Sequence, residues 1–251
     1  MSRWVLCGLK TGIKTTHYPA EQELHSGVSP GLPVTGSAEG RTAEICPTAA
    51  LTSREGHIAV DYRRCIHCFR CVRSADFLPL DWQQGYEWAE RTAEGPPLDN
   101  AKFGRSLNVL VVDAGDCGSC LSEIAQLTGP YYNLHRLGFF ITPTPRNADV
   151  LLVVGPVTDQ MLVALKKAWD AMPTPRRVVA VGVCALSGGI FGPSLVSGGG
   201  AADVIPVDVE VPGCPPPPLA ILHGLLVAVG RKPPVAITSP PASANEVEAA
   251  P

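Results

Sequence analysis

Eight of the nine cysteines fall into two sets of four, and thiolates at these spacings can hold soft metals. The first set is Cys46-Pro47 followed by Cys65-Ile-His-Cys68-Phe-Arg-Cys71. The second is Cys117-Gly-Ser-Cys120, an isolated Cys184, and Cys214-Pro215. Iron–sulfur clusters and zinc are the two candidates for such donors. Two clusters in one chain would form an electron path.

The first set is informative through what it lacks. A two-cluster bacterial ferredoxin repeats C-x2-C-x2-C-x3-C-P, and each CP cysteine serves the other cluster. Here the first repeat has become Arg41-Thr-Ala-Glu-Ile-Cys46-Pro47 and keeps only its CP cysteine. The second keeps Cys65, Cys68 and Cys71 but continues as Val72-Arg-Ser-Ala-Asp76. The four that remain are those that share one cluster. Zinc ribbons usually pair two C-x2-C units, whereas a C-x2-C-x2-C triplet wraps one face of a cubane.

The second set sits among alternating strands and helices. Ser106–Asp113 is a continuous apolar run of buried-strand type, and Leu121–Leu127 begins a helical pattern. The unit recurs as Ala148–Gly155 with a helical stretch from Val157 to Met172. It recurs again as Arg177–Cys184, followed after a glycine-rich loop by a strand expected over Ala202–Val207. A last helix is expected to start within Pro215–Pro218 and run to about Gly230. This alternation implies a parallel sheet with helices on both faces. Cys117, Cys120, Cys184 and Cys214 then all follow strands, in the crevice where open α/β sheets bind ligands. Gly115, Gly118, Gly182 and Gly213 would let backbone N–H groups approach an anionic group there. Gly115-x-x-Gly118 could instead be a phosphate turn, but it lacks the full glycine fingerprint and a P-loop lysine.

At 251 residues the chain has room for one α/β domain and a small domain stapled by its cluster. A net charge of −3 argues against nucleic acid as a partner. Nine cysteines without a signal peptide fit a reducing cytosol. No apolar run reaches a membrane span, so membrane attachment is expected through other subunits. The expected organisation is a domain over residues 1–88, a linker over 89–105, an α/β domain over 106–231 and a disordered tail over 232–251.

The stretch from Asp113 to about Val229 resembles the proximal-cluster small subunit of group 4 membrane-bound [NiFe] hydrogenases and formate hydrogenlyase. It is also similar to the B-type subunit of respiratory complex I. The residues that carry the likeness are Asp113-Ala-Gly-Asp-Cys-Gly-Ser-Cys-Leu-Ser-Glu-Ile124, Arg136-Leu-Gly-Phe139, Thr142–Asp149, Gly155-Pro-Val-Thr158, Gly182–Phe191, Ile205-Pro-Val-Asp208 and Val211-Pro-Gly-Cys-Pro-Pro216. Complex I has two adjacent cysteines where this chain has C-x2-C, which tilts the likeness towards hydrogenase. Leu9–Val72 resembles the ferredoxin-type subunit of the same complexes through Thr11–Pro19, Cys46-Pro-Thr-Ala-Ala-Leu51 and Asp61-Tyr-Arg-Arg-Cys65. The chain thus reads as a fusion of two subunits, although the ferredoxin-type relatives carry two clusters where four cysteines remain here.

The resemblance implies a flavodoxin-like parallel-sheet domain preceded by a small ferredoxin-like α+β iron–sulfur domain. It implies two [4Fe-4S] clusters, on Cys46, Cys65, Cys68 and Cys71 and on Cys117, Cys120, Cys184 and Cys214. These would relay electrons between another iron–sulfur carrier and the metal site of a [NiFe]-hydrogenase-like large subunit. The catalytic centre of this oxidoreductase would then lie on the partner, with membrane subunits in the same complex. The location implied is cytoplasmic, peripheral on the inner face of the cell membrane. The alternative is a quinone-linked, complex-I-like subunit without nickel chemistry, and paired C-x2-C motifs in the large subunit would discriminate. A structural zinc subunit is a third reading. Glu123 is either a proton relay or a first-turn helix acid. Arg63, Arg64, Arg70 and Arg73 either dock an acidic partner or balance cluster charge. His67 is expected as an exposed imidazole and Cys7 as structural or incidental. Tyr131, Tyr132 and Arg136 fall in a segment that approaches the quinone side in complex I relatives.

Overall fold

The computed structural model describes residues 2–24, 27–34, 36–37, 41–54, 57–73, 80–92 and 103–235. Residues 93–102 of the expected linker and 236–251 of the expected tail lie outside these.

The first half opens with α1 (Arg3–Thr11). Short elements follow: β1 (Leu32–Pro33), β2 (Gly36–Ser37), α2 (Arg41–Glu44), β3 (Leu51–Arg54), β4 (His57–Val60), α3 (Arg70–Arg73), β5 (Trp82–Gln83) and β6 (Glu90–Arg91). β2, β4 and β3 form an antiparallel sheet in that order, and β1 pairs with β5. Leu51, Ile58, Val60 and Leu80 make a small core, with Cys46 and Cys71 against it. Four such side chains are a thin core for an independent unit.

The second half contains β7 (Leu107–Asp113), α4 (Ser119–Gln126), β8 (Phe139–Ile141), β9 (Val150–Val154), α5 (Asp159–Ala171), β10 (Arg177–Val181), α6 (Val183–Ser187), β11 (Val209–Val211) and α7 (Pro218–Ala228). The sheet runs β6-β11-β10-β9-β7-β8 and is parallel except for β6, which lies antiparallel on β11. Counted from β7, its five parallel strands follow the flavodoxin-like order 2-1-3-4-5. β9 and β10 are buried along their whole length, which is why both read as unbroken apolar runs. One face packs on α4 and α7, and the other on α5 and α6.

Two local expectations are corrected, and one short strand carried no signal. The strand expected over Ala202–Val207 lies later, at Val209–Val211, while Ala201–Asp203 forms a 3₁₀ turn. Pro206 has no N–H to give a ladder, and the Asp208 carboxylate instead accepts the Val178 N–H at 2.8 Å. β8 carried no strand signal because it is three residues long with Phe140 and Ile141 exposed. Residues 89–91, expected in the linker, belong to the sheet: Ala89 is buried and Glu90–Arg91 pair with β11. The first half also enters the main core directly, since Tyr18, Tyr86, Trp88 and Ala89 share one apolar cluster with α7.

Candidate functional site

The second cysteine set is assembled by three loops at the carboxyl ends of β7, β10 and β11. β7 and its two flanking strands, β8 and β9, form the switch point of the sheet, where the chain direction of winding reverses. After β7, Asp113 Oδ1 accepts the N–H groups of Gly115 at 2.9 Å and Asp116 at 2.7 Å. Asp116 Oδ2 accepts those of Gly118 at 2.9 Å and Leu121 at 3.2 Å. These carboxylates occupy the donors that a phosphate would need, which removes the basis for a phosphate turn. The bend delivers Cys117 to the surface and Cys120 to the buried first turn of α4. Cys117 Sγ lies 3.4 Å from Ser119 Oγ.

The other two loops are tied to each other. Gly182 N–H donates to Val211 O at 2.8 Å and Val183 N–H to Gly213 O at 3.0 Å. Cys184, on the first turn of α6, and Cys214, ahead of α7, thereby face the Cys117 loop. Two glycines are dictated by the sulfurs. A Cβ at Gly182 would stand 2.6 Å from Cys120 Sγ, and one at Gly189 would stand 2.7 Å from Cys184 Sγ. Both have positive φ, at +83° and +60°, so a side chain would be strained as well as crowded.

The thiols of this set share one electrostatic neighbourhood. Burial pushes the Cys120 thiol far up, with the charges of Asp116, Cys184, Cys214 and Cys117 adding to it. Burial first, then Cys214, Cys117 and Asp116, raises Cys184 to about 11. Cys214 is raised in the same way by burial, Cys117 and Asp116. Asp116 was read only as part of a motif, yet its carboxylate organises the loop. Its Oδ1 is buried with no hydrogen-bond partner among the described residues.

The first set gathers around a small apolar cavity lined by Cys46, Cys65, Cys68, Cys71, Pro33 and Trp82. Cys46 Sγ accepts the Ala50 N–H at 3.3 Å, and Thr48 Oγ1 donates to Arg64 O at 2.7 Å. This links the CP turn to the triplet. Within the triplet, His67 and Phe69 adopt positive φ, at 51° and 58°, and bend the chain around the cavity. Burial, then Cys71, Cys46 and Cys68, raises the Cys65 thiol to about 12, and burial likewise raises Cys71. None of the nine cysteines forms a disulfide. Among the described residues no three Cys, His, Asp or Glu side chains converge closely enough to hold a single metal ion.

His67 is buried, contrary to the exposed imidazole expected, because two tryptophans enclose it. Its ring lies edge-on to Trp82 at 5.7 Å and to Trp88 at 6.4 Å. Trp88 Nε1 in turn donates to Pro212 O at 2.9 Å, two residues before Cys214. An aromatic bridge thus runs from inside the first cysteine set to the second. Beside it, Arg63 Nη2 meets the buried Glu210 at 2.8 Å, and Ser187 Oγ donates to Arg63 O at 2.7 Å. Sequence reading did not find this bridge; two lone tryptophans outside any motif carried no signal.

The remaining candidates are dispersed. Arg64 pairs with Asp61 at 3.5 Å, and Arg73 lies over the Phe69 ring at 5.7 Å. Tyr131 donates to Glu23, and Arg136 donates to the carbonyls of Tyr18 and Tyr132. These residues hold residues 15–23 onto the α/β unit. Glu123 is half-buried, which raises its carboxyl; burial, with the charge of Glu123 adding to it, raises Tyr132. Cys7 is exposed on α1.

Residues 117–228 match the family described as NADH ubiquinone oxidoreductase, 20 Kd subunit. The chain is 48% identical over 122 residues to an uncharacterized protein of Methanocaldococcus jannaschii, a match that covers 49% of this chain and 82% of that one. It is 44% identical over 129 residues to the "probable membrane-bound hydrogenase subunit" of Pyrococcus furiosus, covering 51% of this chain and 77% of the relative. Formate hydrogenlyase subunit 7 of Escherichia coli is 41% identical over 129 residues, covering 51% of each chain. The matched region contains Cys117, Cys120, Cys184 and Cys214, and with relatives 48% and 44% identical matched over 82% and 77% of their length the chain belongs to the 20 kDa subunit family of NADH ubiquinone oxidoreductase.

Proposed function

We propose that the chain is an electron-relay subunit of a membrane-bound, [NiFe]-hydrogenase-like complex. It holds one [4Fe-4S] cluster on Cys46, Cys65, Cys68 and Cys71 and a second on Cys117, Cys120, Cys184 and Cys214. The observation that carries this reading is that the second set comes from three separate loops at the carboxyl ends of β7, β10 and β11 and shares one electrostatic neighbourhood. The donor chemistry fits: each set offers four soft thiols, and glycines stand where a Cβ would strike a sulfur. When bound, the clusters supply one-electron carriers.

The chain's own residues do the rest. Asp113 and Asp116 fix the turn that presents Cys117 and Cys120. The first cavity surrounds its sulfurs with a mostly apolar lining. Trp88 and Arg63 hold the two sets at a fixed separation, so electrons pass within one polypeptide rather than by diffusional encounter. The names of the relatives support a place in a membrane-bound hydrogenase or formate hydrogenlyase assembly, and we propose that it sits on the inner face of the membrane. The first cluster would face an iron–sulfur partner, and the second would face the metal site of the large subunit.

The test is iron and acid-labile sulfide on anaerobically purified protein, with EPR after dithionite reduction. About eight of each per chain, and two interacting signals, are expected. Cys184→Ser should lower both contents to about four and abolish turnover of the assembled complex while the first cluster stays detectable. Zinc in place of iron, or full activity in that variant, would overturn the assignment.

A further inference from the structure

None of the nine residues of α1 is buried, and among the described residues no apolar cluster takes in any of its side chains. At 3.6 residues per turn its side chains divide into two faces. Trp4, Val5, Leu6 and Leu9 fall on one side, with Gly8 between them. Arg3, Cys7, Lys10 and Thr11 fall on the other. Trp4 is 76% exposed and Leu9 71%, and Ile13, just beyond the helix, is 84% exposed. Contiguous apolar side chains left in water mark a surface that something else covers.

Charge identifies what covers it. The first acidic residue of the chain is Glu21, so Arg3, Lys10 and Lys14 stand in a stretch with no carboxylate, although the whole chain has a net charge of −3. The segment after α1 is fastened to the α/β unit: Thr15 Oγ1 donates to Pro130 O at 3.0 Å and Thr16 N–H to Tyr131 O at 2.9 Å. α1 is therefore held outside the body on an anchored base. A short helix with Trp and Leu on one face and only cations among its charges suits the interface of a bilayer. Lys and Arg are drawn there by anionic headgroups. No helix among the described residues is long and apolar enough to cross a membrane, so α1 would lie in the surface plane.

We infer that α1 docks the protein directly on an anionic lipid bilayer, laying Trp4, Leu6, Leu9 and Ile13 into the interface with Arg3, Lys10 and Lys14 at headgroup level. This contact is independent of the relay reading and adds to any attachment through other subunits.

The experiment is flotation of the full, cluster-loaded chain with phosphatidylglycerol-containing vesicles and with pure phosphatidylcholine vesicles. Iron content and thermal midpoint are recorded on the same samples, so failure of the clusters and failure of docking are separable. The unaltered chain should float with the anionic vesicles at least about tenfold better than with neutral ones, and lose that preference at high salt. Leu6→Gln with Leu9→Gln, on side chains that support no core, should cut binding by about tenfold or more with an unchanged midpoint. Lys10→Glu with Lys14→Glu should do the same for anionic vesicles alone. No flotation of the unaltered chain, or equal flotation of the Leu6→Gln, Leu9→Gln variant, would overturn the inference. Either result would mean that the apolar face of α1 belongs to a protein partner.

Discussion

Single side chains decide whether the second cysteine set can keep its geometry. Gly182 combines a positive φ with a Cβ position only 2.6 Å from Cys120 Sγ. Gly182→Ala should therefore lower iron and sulfide from about eight to about four of each per chain, as metal analysis would show. Trp88 acts at the other end of the bridge. Trp88→Phe keeps the ring but removes the buried donor to Pro212 O, at a cost of about 1 kcal/mol in urea unfolding. The grouping of the cysteines into two sets was legible because their spacing is local and survives in one dimension. Trp88 and His67 were not, since their roles exist only once residues far apart in the chain meet. The four arginines near the first set were ambiguous for the same reason, and Arg63 meets its acid, Glu210, only in the folded sheet.

At the scale of elements, α7 is the most constrained. All eleven of its residues are buried, including His223. The imidazole Nδ1 accepts the Ala89 N–H at 3.1 Å, which leaves Nε2 to donate to Pro233 O at 3.3 Å. Burial holds the ring neutral, with Glu87 opposing weakly. Folded His223 thus binds a proton less readily than unfolded His223. Its contribution to stability is complete above the ordinary value of 6.5 and is lost as pH falls below it. Thermal midpoints measured downward from pH 7 should drop, and His223→Gln should flatten that decline. β7, β9, β10 and α7 were readable as elements because continuous apolar runs and a proline-led helix start are strong signals. β6 and β8 were not, because strands of two or three residues depend on their neighbours for pairing. The displaced β11 shows the same limit: Ala202–Val207 is apolar enough for a strand, but Pro206 and the tie from Asp208 to Val178 postpone it.

For the molecule as a whole, the boundary between the halves is the main consequence. Residues 80–92 carry Trp88, Ala89 and β6 into the core of the α/β sheet. A chain beginning at residue 106 would leave the apolar surface of α7 uncovered. Expressed alone, it should aggregate, while one beginning at residue 80 should stay in solution better, as gel filtration would show. Composition had suggested a division at residue 89, where proline, glycine and charge increase, but the buried ring of Trp88 and the Ala89 N–H bond to His223 place that point inside the core. α7 itself has no solvent-facing side, so its amides have no local route to water. Their hydrogen–deuterium exchange should proceed only when the entire fold opens. The slowest deuterons in the protein would then report its global unfolding without any denaturant.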